Sequence, residues 1–129
     1  MASKSRGVSV LAFFALVGGL TYLVNSGEPR VAEEIGYYKS DELHRVRSYH
    51  SAEPLTEAQA REHFDGEFHT EGRLSRSVYY SGAAQAPADA LTLAGGLQAA
   101  LAVTTNPPFD NWDWMVHRNP AGLVSVKAR

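Results

Sequence analysis

His63, Asp65, Glu67 and His69 occupy every second position of one short stretch. In extended backbone all four side chains would project from one face, with Phe64 and Phe68 on the other. Two imidazoles and two carboxylates at that spacing form a donor set suited to Zn²⁺ or a similar ion. The residues just before them argue for a different geometry. Thr56-Glu57-Ala58-Gln59 has the form of a capping box, in which Thr56 accepts from the amide three residues on and Gln59 reaches back. A helix is therefore predicted over 57–64, stopping near Gly66. That places His63 within the helix and makes Asp65-Gly66 a turn. The expected state of this stretch is a solvated helix exit, and no metal ligand is assigned.

The remaining reactive side chains are scattered. His44 and His50 share the six-residue spacing of His63 and His69, and His117 stands alone. Five histidines with no cysteine do not make a metal framework. Ser75, Ser77 and Ser81 lack the glycine-flanked turn that activates a serine nucleophile. Glu67 and Glu71 are paired only by proximity. The expectation is a protein that is not an enzyme, with no catalytic residue and no cofactor.

The aromatic run Phe109-Asp110-Asn111-Trp112-Asp113-Trp114 follows the double proline Pro107-Pro108. Period-two geometry would set Trp112 and Trp114 on one sheet face, with Tyr79 or Tyr80 beside them. Rings of this size anchor interfaces at low entropic cost. They also fill a core that is short of aliphatic residues, which is the reading preferred here. Trp112 and Trp114 remain secondary interface candidates.

The elements that position these residues follow from pattern and turn chemistry. Leu43–His50 is assigned to a strand, with Val46 between Arg45 and Arg47 suggesting a sheet edge. Leu74–Tyr80 alternates, with Leu74, Arg76, Val78 and Tyr80 facing one way and Ser75, Ser77 and Tyr79 the other. Asp89 is read as the N-cap of a helix over Ala90–Val103, with Leu93, Leu97 and Leu101 as its apolar stripe. Gly95-Gly96 interrupts that helix, so either a close neighbour needs bare backbone or the helix begins at Gly96; one helix is favoured. Trp112–Arg118 and Leu123–Lys127 bracket Asn119-Pro120-Ala121-Gly122 as a hairpin. The predicted fold class is α+β, a small, mostly antiparallel sheet with two helices in the order β-α-β-α-β-β.

Ahead of this domain lies an uncharged run, Val8–Val24, led by Lys4 and Arg6. At about 1.5 Å per residue it spans roughly 25 Å, close to the length needed to cross a hydrocarbon core of about 30 Å. It reads as a signal-anchor, a single transmembrane helix, since it is long for a cleaved signal peptide and Val24-Asn25-Ser26 is a poor cleavage site. The flanking cations keep the N-terminus in the cytoplasm and send the remainder across. Ala15, Gly18 and Gly19 would offer a small-residue packing surface on this helix. The expected organisation is a basic lead at 1–7, the membrane helix at 8–24, a tether at 25–42 and an extracytoplasmic domain at 43–129.

The charge count is 12 basic against 14 acidic residues for the whole chain. Lys4 and Arg6 belong to the lead, so the exported part is more acidic still, and nucleic acid is excluded as a partner. Leu, Ile, Val and Phe make up roughly 18% of residues 27–129, near the composition where chains cease to fold alone. With no disulfides available, the domain is expected to lean on a neighbour. The functional expectation is a single-pass accessory, assembly or scaffold subunit of a membrane complex. It would sit in the bacterial inner membrane with its domain in the periplasm, the mitochondrial inner membrane being the alternative. The competing reading is a protein cleaved after its signal peptide that binds a small ligand or metal.

Overall fold

A five-stranded sheet organises residues 31–129, the part of the chain that this computed structural model describes. The elements run β1 (Glu33–Lys39), β2 (Arg45–Ser51), α1 (Glu57–Asp65), β3 (Ser75–Ser81), α2 (Asp89–Thr92), α3 (Leu97–Val103), β4 (Trp114–Arg118) and β5 (Val124–Ala128). The strands lie side by side in chain order. Only β2 and β3 are parallel, joined across by α1; the other neighbours are antiparallel. The fold is α+β with a mixed sheet. The expected basic lead, the membrane helix expected at 8–24 and the candidate packing residues Ala15, Gly18 and Gly19 lie outside the described residues.

Where the local signals are strong, sequence and structure coincide. Gln59 N donates to Thr56 Oγ1 at 3.1 Å and Thr56 N to Gln59 Oε1 at 2.9 Å, closing the capping box of α1. Asn119–Gly122 makes the β4–β5 turn, with Gly122 N donating to Asn119 O at 2.8 Å. Gly122 has φ 91°, a conformation that glycine adopts without strain.

Three expectations are corrected. First, the stretch assigned to the tether contributes β1, and the compact unit begins at Val31. Gly36 is a buried residue of this strand against which the 84–88 connection packs: an added Cβ would clash with the Pro87 carbonyl and lie 2.9 Å from Ser48 Oγ. Because β1 covers it, β2 is an interior strand and not an edge.

Second, the single helix over Ala90–Val103 is two short ones. The residue before α2 is Ala88, and no side chain caps it. A Cβ at Gly95 or Gly96 would meet nothing within 4 Å, so no close neighbour requires the bare backbone. The pair breaks the helix through its own low propensity. Leu93 is consequently 76% exposed, and Leu91 takes the buried position beside Val46 and Ala100.

Third, Trp112 and Trp114 do not share a face. β4 begins at Trp114, opposite Tyr79. Trp112, just outside the strand, joins Val78, Tyr80 and Met115 on the other side.

Each sheet face thus has its own cover. Ala60 and Phe64 of α1 pack with Leu55, Tyr49, Tyr79 and Val116 on one face. The opposite face carries α2 and α3 over Val46, and Ala86 and Trp112 over Val78 and Tyr80. Tyr79 and Tyr80, both fully buried, supply bulk on either side that the sparse aliphatic residues do not.

Candidate functional site

The α1-facing side of β3 presents Ser75, Ser77, Tyr79 and Ser81, and each bonds to an ionisable side chain. Ser77 Oγ donates to Glu67 Oε1 at 2.7 Å, and Ser81 Oγ donates to Asp113 Oδ2 at 2.6 Å. Tyr79 OH lies 2.9 Å from His63 Nδ1. Ser75 Oγ lies 2.8 Å from His69 Nδ1, while His69 Nε2 lies 2.7 Å from the Phe64 carbonyl. A carbonyl only accepts, so Nε2 carries the ring proton and Ser75 donates to Nδ1. The side chains form a ladder along one strand face, three of whose ionisable members come from the alternating stretch 63–69.

That alternation is realised through a helix and its exit, not through a strand. His63 lies in the last turn of α1, and Glu67 and His69 fold back beneath it. Asp65 points elsewhere, pairing with Arg61 at 3.0 Å on the exposed helix surface. Among the described residues no group of three or more His, Asp or Glu side chains is placed to hold a metal ion. His44 Nδ1 accepts from Leu74 N at 2.9 Å, and His50 Nε2 lies 2.9 Å from the Gly82 carbonyl. His117 Nδ1 accepts from Arg76 Nε at 3.2 Å on the opposite face. Glu71 is exposed and outside the ladder.

Two arginines complete the site. Arg47 projects from β2 on the same face and is 6% exposed. Its Nη2 donates to the Phe68 carbonyl at 2.9 Å, its guanidinium lies 5.3 Å from the Tyr37 ring, and its Nη1 approaches Glu67 Oε1 at 3.6 Å. That last separation is an ion pair without a hydrogen bond. Arg47 Nη1 and Glu67 Oε2 are both buried without a hydrogen-bond partner. Arg45, two residues earlier, donates to Tyr37 OH at 3.1 Å and to Thr70 Oγ1, and its guanidinium lies 4.7 Å from the Phe68 ring.

Burial dominates the electrostatics. Desolvation pushes Glu67 up to about 7, against the opposing pull of the Ser77 hydrogen bond and the Arg47 charge. Burial, then the Arg47 charge, holds His63 below its ordinary value. His69 is also lowered, chiefly by burial. Burial and the Glu67 charge raise the Tyr79 phenol. At neutral pH the site therefore holds neutral imidazoles, an un-ionised phenol and a carboxyl close to its midpoint. Tyr49 stacks on Tyr79 at 5.3 Å, and His63 stands edge-on to both rings.

Arg45, Arg47, Ser77 and Tyr79 did not stand out by motif. The available signal was that Arg45-x-Arg47 and Ser75-x-Ser77-x-Tyr79 both alternate. In adjacent parallel strands such patterns meet on one face, and the register pairs Arg45 with Ser75 and Arg47 with Ser77.

The two tryptophans each spend their indole N–H internally. Trp112 Nε1 donates to Thr104 O at 2.9 Å and Trp114 Nε1 to Leu55 O at 2.8 Å. Between them, with Pro54, Leu55, Asp113 and Arg129, is an open hollow of about 400 Å³. No helix among the described residues is long and apolar enough to cross a membrane. Comparison with family models, curated proteins and solved structures finds no match.

Proposed function

We propose that this protein is a single-pass accessory or scaffold subunit of a membrane complex, acting through protein–protein contacts. Its N-terminal helix would anchor it, with the domain on the far side of the membrane. The observation that carries this reading is how the described unit distributes its groups. His63, Glu67 and His69, the ionisable side chains that chemistry would draw on, are bonded to Tyr79, Ser77 and Ser75 beneath α1. The surface, by contrast, exposes Phe68 at 69%, Leu93 at 76% and Leu123 at 70%. β5 forms the last margin of the sheet, a pairing surface unless covered, whereas on β1 Tyr37 N already donates to Thr92 Oγ1 of α2 at 3.0 Å. The uncharged run Val8–Val24 supplies the address.

The test is membrane fractionation of cells expressing the full-length chain, followed by extraction in mild detergent. The expected result is a chain that resists alkaline carbonate, retains its original N-terminus and migrates with larger proteins. A soluble product beginning at Gly27, or a stable monomer free of other proteins, would overturn the proposal.

A second reading is favoured by the hollow between Trp112 and Trp114. Aromatic walls with Asp113 and Arg129 beside them suit a small polar ligand. Quenching or enhancement of tryptophan fluorescence across a panel of small sugars and organic acids would distinguish it.

A further inference from the structure

Residues 66–73, which connect α1 to β3, are tied to the sheet by polar contacts in place of apolar packing. Their one large apolar side chain, Phe68, is 69% exposed. The ties are Arg47 to the Phe68 carbonyl at 2.9 Å, Arg45 to Thr70 Oγ1, Ser75 to His69 at 2.8 Å and Ser77 to Glu67 at 2.7 Å. Glu67 is the acidic member, and its environment suits a neutral carboxyl better than a carboxylate. One oxygen accepts a single hydrogen bond, the other accepts none, and the nearest cation stops at 3.6 Å. A carboxylate so placed has lost more hydration than its neighbours replace.

We propose that Glu67 is a proton-operated latch for the strap of residues 66–73: neutral, it rests between Ser77 and Arg47 beneath the strap; ionised, it favours lifting the strap from the sheet into water.

The groups facing it fix the direction. Arg47 on β2 favours the anion, while Glu34 on β1 opposes it; Arg45, also on β2, is engaged by Tyr37 and Thr70. Tyr37 of β1 engages both arginines. His63 and Asp65 come from α1, Tyr79 from β3, and Arg118 of β4 adds its charge near His69. With the strap closed, the carboxyl titrates at about 7; released to water it would return to 4.5. The closed strap is therefore stabilised fully below 4.5, and that stabilisation is lost as pH rises through about 7. His63 and His69 act in the opposite sense, because burial disfavours their charged forms. Their influence fades above 6.5, their ordinary value.

The experiment uses the full-length chain in detergent micelles. The Glu67 carboxyl carbon is followed by NMR, and hydrogen exchange at residues 66–73 is measured from about pH 6 to about pH 8. Each exchange rate is corrected for the intrinsic pH dependence of amide exchange. The wild-type Glu67 resonance should titrate near neutrality. The ratio of strap opening in wild type to that in E67Q, from which the histidine contributions cancel, should rise about tenfold across that range. S77A, which removes the one bond favouring the anion, should move the midpoint upward. A carboxyl titrating in the ordinary glutamate range, a ratio independent of pH, or an S77A midpoint that stays put would each overturn the latch. The wild-type titration decides the matter even if a variant fails to fold.

Discussion

The hydroxyl of Tyr79 lies 2.9 Å from Nδ1 of His63, with the two rings at 90° to each other. The bond joins the last turn of α1 to the centre of the sheet, and burial keeps both groups uncharged at neutral pH. Tyr79→Phe retains the stack on Tyr49 and deletes this one bond. Its expected cost is about 1–2 kcal/mol, since a half-buried imidazole nitrogen loses its partner. Urea unfolding of the variant against wild type measures it, and a change near zero would mean that water replaces the hydroxyl freely.

Gly36 and Gly95 should respond oppositely to the same substitution. A methyl at Gly36 runs into the Pro87 carbonyl and sits 2.9 Å from Ser48 Oγ, whose own bond to Pro87 O is 2.6 Å long. Gly36→Ala should destabilise by about 1–3 kcal/mol, as overpacking does elsewhere. Gly95→Ala meets no atom within 4 Å and should be neutral, or stabilise by up to about 1 kcal/mol through the unfolded chain. Unfolding midpoints of the two variants, measured side by side, check the contrast.

Acid should weaken the fold through its histidines. His63, His69 and His117 all bind protons less readily when folded, chiefly because of burial. Below their ordinary value of 6.5 the unfolded chain takes up more protons, so stability is present above that pH and falls as pH drops further. Glu67, raised to about 7, contributes in the opposite direction over the same interval. In thermal melts between about pH 7 and about pH 5, acid should cost E67Q more stability than it costs wild type, and His117→Gln less.

The capping box offers a local test. Thr56→Ala removes the acceptor of the Gln59 amide and should cost about 1 kcal/mol. Gln59→Ala removes only the reciprocal bond to Thr56 N and should cost less. Loss of helical circular dichroism on mild heating is the appropriate readout, because α1 is a short helix, Glu57–Asp65.

Much of this architecture was legible from local signals. Thr56 to Gln59, the alternation at Ser75–Tyr80 and the Asn119–Gly122 turn each specify geometry through residues only a few positions apart. What escaped was set at long range. β1 was hidden because Gly36 looks like a breaker until the Pro87 backbone is brought against it. The separation of Trp112 from Trp114 depends on where pairing with Tyr79 begins, which neither tryptophan determines. The ladder itself was half visible: the spacing of His63, Glu67 and His69 is informative, but their partners are serines and a tyrosine on a strand that arrives later. No periodicity in 63–69 could disclose that Ser77 would meet Glu67.

The neighbour relation of the strands bears on how the molecule is made. Since β1 through β5 lie in the order in which they occur along the chain, the sheet lengthens at one margin only. A strand leaving the ribosome, or threaded tail-last through a membrane, finds its docking partner already in place and never has to wedge between two others. Assembly can thus keep pace with synthesis at about 5–20 residues per second, and each strand, once docked, becomes the template on which the next one pairs.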